Sequence, residues 1–142
     1  MPTYKAPVAD YKFLMHEVFD LQQYNYLEAF EEASPDVIDA ILEEAAKLTE
    51  NIFQPINQSG GKEGCKLQNG VVTTPKGFKE AYSQFTDGGW QSLTGDPKYG
   101  GQGLPMTLGI ALNEMMVSSN WGLAMYPGLT KGASETIHIW GS

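Results

Sequence analysis

Residues 96–105 read DPKYGGQGLP, a stretch that lies between two segments with helical sequence patterns. Three glycines and two prolines in ten residues do not continue a helix or a strand. Gly101-Gln102-Gly103 resembles the start of a dinucleotide fingerprint, but no strand precedes it and Met106 stands where the third glycine belongs. We therefore predict a rigid bend that returns one helix against another, with glycines that allow close backbone approach.

The clearest helical pattern lies before the bend. Ser34 is a good N-cap and Pro35 occupies the first helical turn. One apolar stripe follows, made of Val37, Ile38, Ile41, Leu42, Ala45, Leu48 and Ile52. The pattern predicts a helix that ends at about Phe53, before Pro55, with Gly60, Gly61 and Gly64 breaking regularity beyond it. Shorter helices are predicted over 11–20, where Phe13, Leu14, Glu17, Val18 and Leu21 share helical spacing, and over 25–32.

A hairpin is predicted between these helices and the bend. Asn69-Gly70 separates two short β-prone runs, which is the strongest short-range hairpin signal. Thr74-Pro75 then starts another helix, with Phe78 and Phe85 on its buried face and Gly88-Gly89 at its end.

After the bend, Pro105 begins a helix that fades near residues 118–120. Residues 121–129 are apolar on nearly every side, which predicts a helix buried all round. A last segment, residues 133–140, follows it. The predicted fold is mainly α, a helical bundle with one short β-hairpin near 65–73. Residues 1–33 are interpreted as an amino-terminal extension of short helices and 34–142 as the helical domain.

Composition excludes several classes of function. A net charge of −8 argues against nucleic acid or an anionic membrane as a partner. No apolar run reaches the ~18 residues of a membrane span, and the amino end does not resemble a secretory signal. A single cysteine, Cys65, fits a reducing cytoplasm.

The polar residues form no recognisable catalytic or metal-binding set. His16 and His138 lack metal-ligand spacing with Cys65. Cys65 has no obvious base beside it, which favours an inert thiol over a reactive one. Glu114 has apolar neighbours, so we expect it to be partly buried in a structural ion pair. We predict no catalytic, cofactor-binding or metal-ligating residue in this chain.

Taken together, several stretches resemble the amino-terminal domain of acyl-CoA dehydrogenases. They are Gly89-Trp90, the loop from Pro97 to Leu104, Asn113-Glu114-Met115-Met116 and the run GLTKGASETIHIWGS. The opening YKAPVADYKFLMHEVF and the hairpin CKLQNGVVTTPKGFK resemble the branch that includes 3-methylmercaptopropionyl-CoA dehydrogenases and related enzymes with an extended amino terminus.

This resemblance implies a larger enzyme with a central β-domain and a carboxy-terminal helical domain, both absent from these residues. In the family, FAD accepts a β-hydride while a carboxylate base removes an α-proton from the acyl-CoA thioester. The resemblance implies that the base and nearly all flavin contacts lie beyond residue 142, so we expect this chain alone to be inactive and not to bind FAD. It further implies contacts with the remaining domains, a homo-oligomer and an electron-transfer acceptor.

One group of site residues is implied by the resemblance. The glycine-punctuated helix forms a wall of the acyl-chain pocket in the family, and the matching residues are Ala124, Met125, Gly128, Leu129 and Gly132. They could equally be ordinary core positions, and Tyr126 and Pro127 could kink the helix.

A different class of function stays open. The apolar carboxy-terminal end, with Ile137, Ile139 and Trp140, could instead bind a partner in a stand-alone helical interaction module without enzymatic activity. In isolation we expect these residues to drive self-association.

Overall fold

The computed structural model describes residues 3–141, and it is mainly α-helical with one antiparallel hairpin, as predicted. Its elements follow in chain order: α1 (Val8–Lys12), a π-helix (Phe13–Val18), a 3-10 turn (Leu21–Tyr24), α2 (Glu28–Glu31), α3 (Pro35–Leu48), a π-helix (Thr49–Phe53), a 3-10 turn (Gln54–Ile56), α4 (Asn57–Glu63), β1 (Lys66–Gln68), β2 (Val71–Thr73), α5 (Phe78–Asp87), 3-10 turns (Trp90–Ser92 and Pro97–Tyr99) and α6 (Met106–Trp140). Among the described residues, no helix combines the length and apolar character needed to cross a membrane.

Helix α3 begins as its sequence predicts. The Ser34 hydroxyl accepts the amide hydrogen of Val37 at 3.4 Å, and Ile38, Leu42 and Ala45 are buried on one face. The predicted end before Pro55 is wrong, because helical backbone continues through Pro55 into α4. A 3-10 turn accommodates the proline near its own start, where a missing amide hydrogen costs little.

Gly60 lies inside α4, so the predicted break at this glycine is also wrong. It is buried, and a Cβ on it would overlap the ring of Phe78 in α5. The glycine therefore allows α4 to lie close to α5. Gly64, at φ +62°, ends the helix, as predicted for this third glycine.

The hairpin has the predicted position and turn. Leu67 pairs with Val72, and Asn69 and Gly70 have φ values of +51° and +77°, as a type I′ turn requires. The predicted start of α5 at Thr74-Pro75 is wrong by a few residues: α5 begins at Phe78, where Gly77 at φ +87° provides the N-cap position.

Helix α6 is folded sharply at Asn120, whose φ of −159° and ψ of 87° are not helical. We call residues 106–119 the first arm and residues 121–140 the second arm. Lys131 Nζ lies 3.5 Å from Met106 Sδ although 25 positions separate them, so the arms lie side by side. The predicted fading of the helix near residues 118–120 corresponds to this fold.

The amino-terminal segment packs on α3 with a face that differs from the predicted one. Tyr11, Met15 and the predicted Leu21 are buried, whereas the other predicted apolar residues, Phe13, Leu14 and Val18, are exposed. The predicted residues Phe13, Leu14 and Val18 all lie in a π-helix, whose wider turn departs from the 3.6-residue spacing that the prediction assumed.

Polar and charged contacts hold this segment on α3. Lys12 Nζ lies 3.0 Å from Asp39 and 2.7 Å from Glu43, and His16 Nε2 lies 2.8 Å from Asp39 Oδ1. Tyr11 and Met15 join the same apolar core as α3, α5 and the first arm.

Candidate functional site

The bend at residues 96–105 is held by its own backbone. The amides of residues 101–104 all donate to backbone carbonyls at 2.9 to 3.1 Å, and their acceptors are, in order, Asp96, Ser92, Gly95 and Leu93. A phosphate-binding loop keeps such amides available for its ligand. The bend is therefore a structural turn and not a phosphate cradle.

Two glycines in this bend cannot be replaced without displacing the chain. A Cβ on Gly101 would overlap the backbone carbonyl of Gly95, and a Cβ on Gly103 would lie 2.9 Å from the ring of Pro97. Gly103 also has a φ of +68°, which favours glycine. The predicted close backbone approach is confirmed.

The sharp bend between the two arms, at Asn120, depends on the buried side-chain amide of this residue. Asn120 Nδ2 donates to the carbonyl of Phe53 at 3.0 Å, and Asn120 Oδ1 accepts the amide of Leu123 at 3.1 Å. The side chain therefore caps the second arm and ties it to the π-helix that follows α3. Sequence patterns located the break but gave no sign of the contact with Phe53.

The five residues implied for the acyl-chain wall lie on one side of the second arm. At 100° per residue they fall within an arc of about 140°. Ala124 is buried at one edge of this arc, whereas Met125 and Leu129 are 50% and 75% exposed. The prediction that residues 121–129 are buried all round is wrong, because this side of the arm faces away from the core.

Gly128 and Gly132 lie on the open part of this surface. A Cβ built on either residue would meet nothing within 4 Å. Neither glycine is therefore required by packing inside the chain, although each costs helix stability relative to alanine. We call the side formed by Ala124, Met125, Gly128, Leu129 and Gly132 the open wall.

A small cleft borders the open wall. It has a volume of about 90 Å³ and lies between the two arms and the 3-10 turn at Trp90. Its lining includes Trp90, Gln91, Leu112, Met116, Ala124, Pro127, Gly128 and Lys131. Ala124 and Gly128 belong both to the cleft and to the open wall, so the two surfaces are continuous.

Gln91 lines the cleft with a side-chain amide of which, within residues 3–141, only one end is hydrogen-bonded. Its Nε2 donates to the carbonyl of Pro127 at 3.3 Å. Its Oε1 is buried and has no hydrogen-bond partner among the described residues. A buried acceptor without a donor is costly, so this oxygen is a position where a donor from outside would stabilise the protein.

Two further polar residues singled out in the sequence, Cys65 and Glu114, do not line the cleft. Cys65 Sγ lies 3.4 Å from the Tyr126 hydroxyl, a hydrogen bond that raises the pKa of Tyr126. The prediction that Glu114 is partly buried in an ion pair is wrong: it is exposed and makes no salt bridge within residues 3–141. Burial and the nearby Glu114 carboxylate raise the pKa of the Tyr11 phenol instead.

Comparison with known proteins finds relatives over nearly the whole chain. No protein-family model matches the sequence. It is 38% identical over 140 residues to 3-methylmercaptopropionyl-CoA dehydrogenase of Ruegeria pomeroyi, covering 99% of this chain and 24% of that protein. It is 28% identical over 138 residues to butyryl-CoA dehydrogenase of Syntrophomonas wolfei, covering 94% of this chain and 22% of that protein.

The chain thus spans about a quarter of the length of the curated relatives it matches. Both relatives are named as dehydrogenases of acyl-CoA thioesters, and the first is the enzyme that names the branch predicted from the opening segment and the hairpin. The 142-residue chain is therefore a homologue of the acyl-CoA dehydrogenases.

Proposed function

We propose that this chain is the amino-terminal helical domain of an FAD-dependent acyl-CoA dehydrogenase, and that its open wall forms one side of the acyl-chain pocket. The observation that carries this proposal is the open wall itself. Two glycines with free space above them, flanked by exposed Met125 and Leu129, suit a surface against which an alkyl chain lies. The homology to acyl-CoA dehydrogenases supplies the substrate class.

In this proposal the chain binds and orients the substrate and excludes water from it. The bend holds the turn at Trp90 through hydrogen bonds to the carbonyls of Ser92 and Leu93, and Asn120 fixes the angle at which the second arm returns. A rigid support of this kind keeps a bound acyl chain in one position relative to the reacting atoms. The second arm itself carries the contact surface.

The glycine-rich bend is poorly suited to hold the phosphates of FAD. Flavin dinucleotides need donors for their phosphates, and the amides of the glycine-rich bend already donate to backbone carbonyls. The chain also carries a net charge of −8, which opposes a dinucleotide. We therefore propose that FAD, the catalytic base, the electron acceptor and the subunit contacts belong to other parts of a longer, cytoplasmic protein.

The test is a glycine-to-leucine substitution in the complete protein that carries these residues. Gly128→Leu fills the open wall and should lower kcat/KM for acyl-CoA desaturation at least ten-fold, about 1.4 kcal/mol in transition-state binding. Gly61→Leu is the matched control, because a Cβ on Gly61 in α4 also meets nothing within 4 Å. Equal activities of the two variants would refute the assignment of the wall.

A stability measurement on the 142-residue chain distinguishes an open position at Gly128 from an ordinary packed core position. Gly128→Ala should raise the free energy of unfolding by about 1 kcal/mol, because the residue is helical and unobstructed. A decrease would show that Gly128 is a packing position.

One observation favours a second function, a stand-alone interaction module. Ile137 and Trp140, at the end of the second arm, are 70% and 81% exposed and offer apolar surface to a partner. In that case the purified natural protein would have the mass of this chain and no acyl-CoA dehydrogenase activity, whereas the first proposal requires a larger, active protein.

A further inference from the structure

The cleft between the arms offers more than apolar packing. Its volume of about 90 Å³ is far below the several hundred Å³ of a pocket for a whole ligand. Because about 10–15 Å³ of such volume accommodates one water, the cleft has room for several water-sized groups. It can therefore receive only the end of a chain whose remainder lies elsewhere.

Its connection to the open wall passes Gly128. This residue lines the cleft, and a Cβ built on it meets no atom within 4 Å, so the passage beside it is free. Any larger side chain at this position would project into that space. A larger side chain at Gly128 would therefore narrow the passage from the wall to the cleft.

The lining of the cleft is polar at defined places. Gln91 contributes a buried acceptor without a donor, and Lys131 contributes an ammonium group 3.5 Å from Met106 Sδ and 3.7 Å from Glu135. A carboxylate would suit Lys131 but would be repelled by the amide oxygen of Gln91. A hydroxyl can donate to Gln91 and can also accept a hydrogen bond.

We propose that this cleft binds the distal end of a short acyl chain that carries a hydrogen-bond donor such as a hydroxyl, with Gln91 as its acceptor and Gly128 as the passage. The inference rests on the proposed function, because it treats the open wall as the path of the acyl chain. It assigns Gln91 and Gly128 as residues that determine specificity, and neither takes part in the chemical step.

The first experiment needs no enzymatic activity. 1-Propanol is added to the isotope-labelled 142-residue chain, and the Met116 methyl and Gln91 side-chain amide signals are followed by NMR. Saturable shifts of both signals are expected in the wild type. Gly128→Leu should abolish them and Gln91→Met should weaken the affinity at least five-fold. Gln84→Met, on the exposed face of α5, is the matched control and should leave the affinity unchanged.

The second experiment uses the complete protein. The ratio of kcat/KM for an acyl-CoA with a terminal hydroxyl to that for a hydrocarbon acyl-CoA with the same number of heavy atoms is measured. Gln91→Met should lower this ratio at least ten-fold, and Gln84→Met should not change it.

The outcomes separate this inference from the proposed function. If propanol causes no shifts, or if the cleft holds only an ordered water, the inference is overturned even when the complete protein desaturates acyl-CoA. An unchanged ratio in Gln91→Met overturns it too. Propanol binding without any acyl-CoA turnover refutes the proposed function and with it the acyl chain as the occupant, leaving an alcohol-binding cleft.

Discussion

Gly101 shows how one residue decides the path of the chain. Its Cα lies against the backbone of Gly95, and its amide donates to the carbonyl of Asp96 at 3.0 Å. Any side chain at this position must displace a backbone carbonyl, and a backbone held by hydrogen bonds to residues 102–104 cannot yield cheaply.

We predict that Gly101→Ala lowers the free energy of unfolding by about 3 kcal/mol or prevents folding. Chemical denaturation monitored by circular dichroism measures the effect. Gly61→Ala is the control, and it should be neutral or stabilising by up to about 1 kcal/mol because it lies in open space in α4. An unchanged unfolding midpoint for Gly101→Ala would show that the bend is not rigid.

At the scale of elements, the fold at Asn120 turns one long helix into two arms. The Asn120 side chain makes two hydrogen bonds there: it accepts the amide of Leu123 and donates to the carbonyl of Phe53. Because both partners are buried, the cost of removing the amide includes an unsatisfied carbonyl at Phe53.

Asn120→Ala should therefore destabilise the chain by about 2–3 kcal/mol, the sum of a lost helix cap and an unsatisfied acceptor. Asn113→Ala, an exposed position on the first arm, should change stability by no more than about 0.5 kcal/mol. Thermal and urea unfolding of both variants give the comparison. Similar stabilities of the two variants would mean that packing alone forms the bend between the arms.

The elements also show what sequence patterns can predict. The N-cap at Ser34, the turn at Asn69-Gly70 and the break near residue 120 follow from local chemistry, and the structure confirms them. The end of α3 and the buried face of the first helix were wrong. The ring of Phe78 leaves no room for a Cβ at Gly60 inside α4, and Phe13, Leu14 and Val18 lie in a π-helix that no spacing rule anticipates. Local spacing contains no information about either feature.

The candidate site, like the fold, could be predicted only in part from the sequence. The resemblance to acyl-CoA dehydrogenases selected five residues that the structure places on one side of the second arm, and their role in a pocket stays a prediction. It did not select Gln91, which reaches the cleft only because the bend brings the turn at Trp90 beside Pro127. A glutamine in a turn has no sequence signal that distinguishes it from a surface residue.

At the scale of the whole molecule, charges attach the amino-terminal segment to α3. The contacts with His16 and, next, Lys12 hold the pKa of the Asp39 carboxyl below its ordinary value of 3.8. A carboxyl with a lowered pKa in the folded state stabilises that state above its unfolded pKa, and this contribution is lost as the pH falls through the folded pKa.

Acid unfolding tests this attachment. Below about pH 4, the wild type should lose stability more steeply than Asp39→Asn, which has no carboxylate to protonate. Asp20→Asn, whose carboxylate forms no salt bridge within residues 3–141, should follow the wild type. Parallel pH profiles for wild type and Asp39→Asn would show that the Asp39 contacts contribute nothing to stability.

The end of the second arm determines how the isolated chain behaves in solution. Ile137, Ile139 and Trp140 are exposed, and apolar surface of this kind favours association. We expect size-exclusion chromatography with light scattering to give a dimer or larger species that dissociates in the triple variant Ile137→Ser, Ile139→Ser, Trp140→Ser. A monomeric wild type at micromolar concentration would contradict this expectation.

The central claim is that these residues support and line a substrate site but do not supply the reagents of the oxidation. Its most direct test is enoyl-CoA formation from an acyl-CoA, measured in parallel for the complete protein and for the 142-residue chain supplied with FAD and an electron acceptor. We predict desaturation by the complete protein and none above background by the 142-residue chain. Desaturation by the 142-residue chain alone would contradict the account.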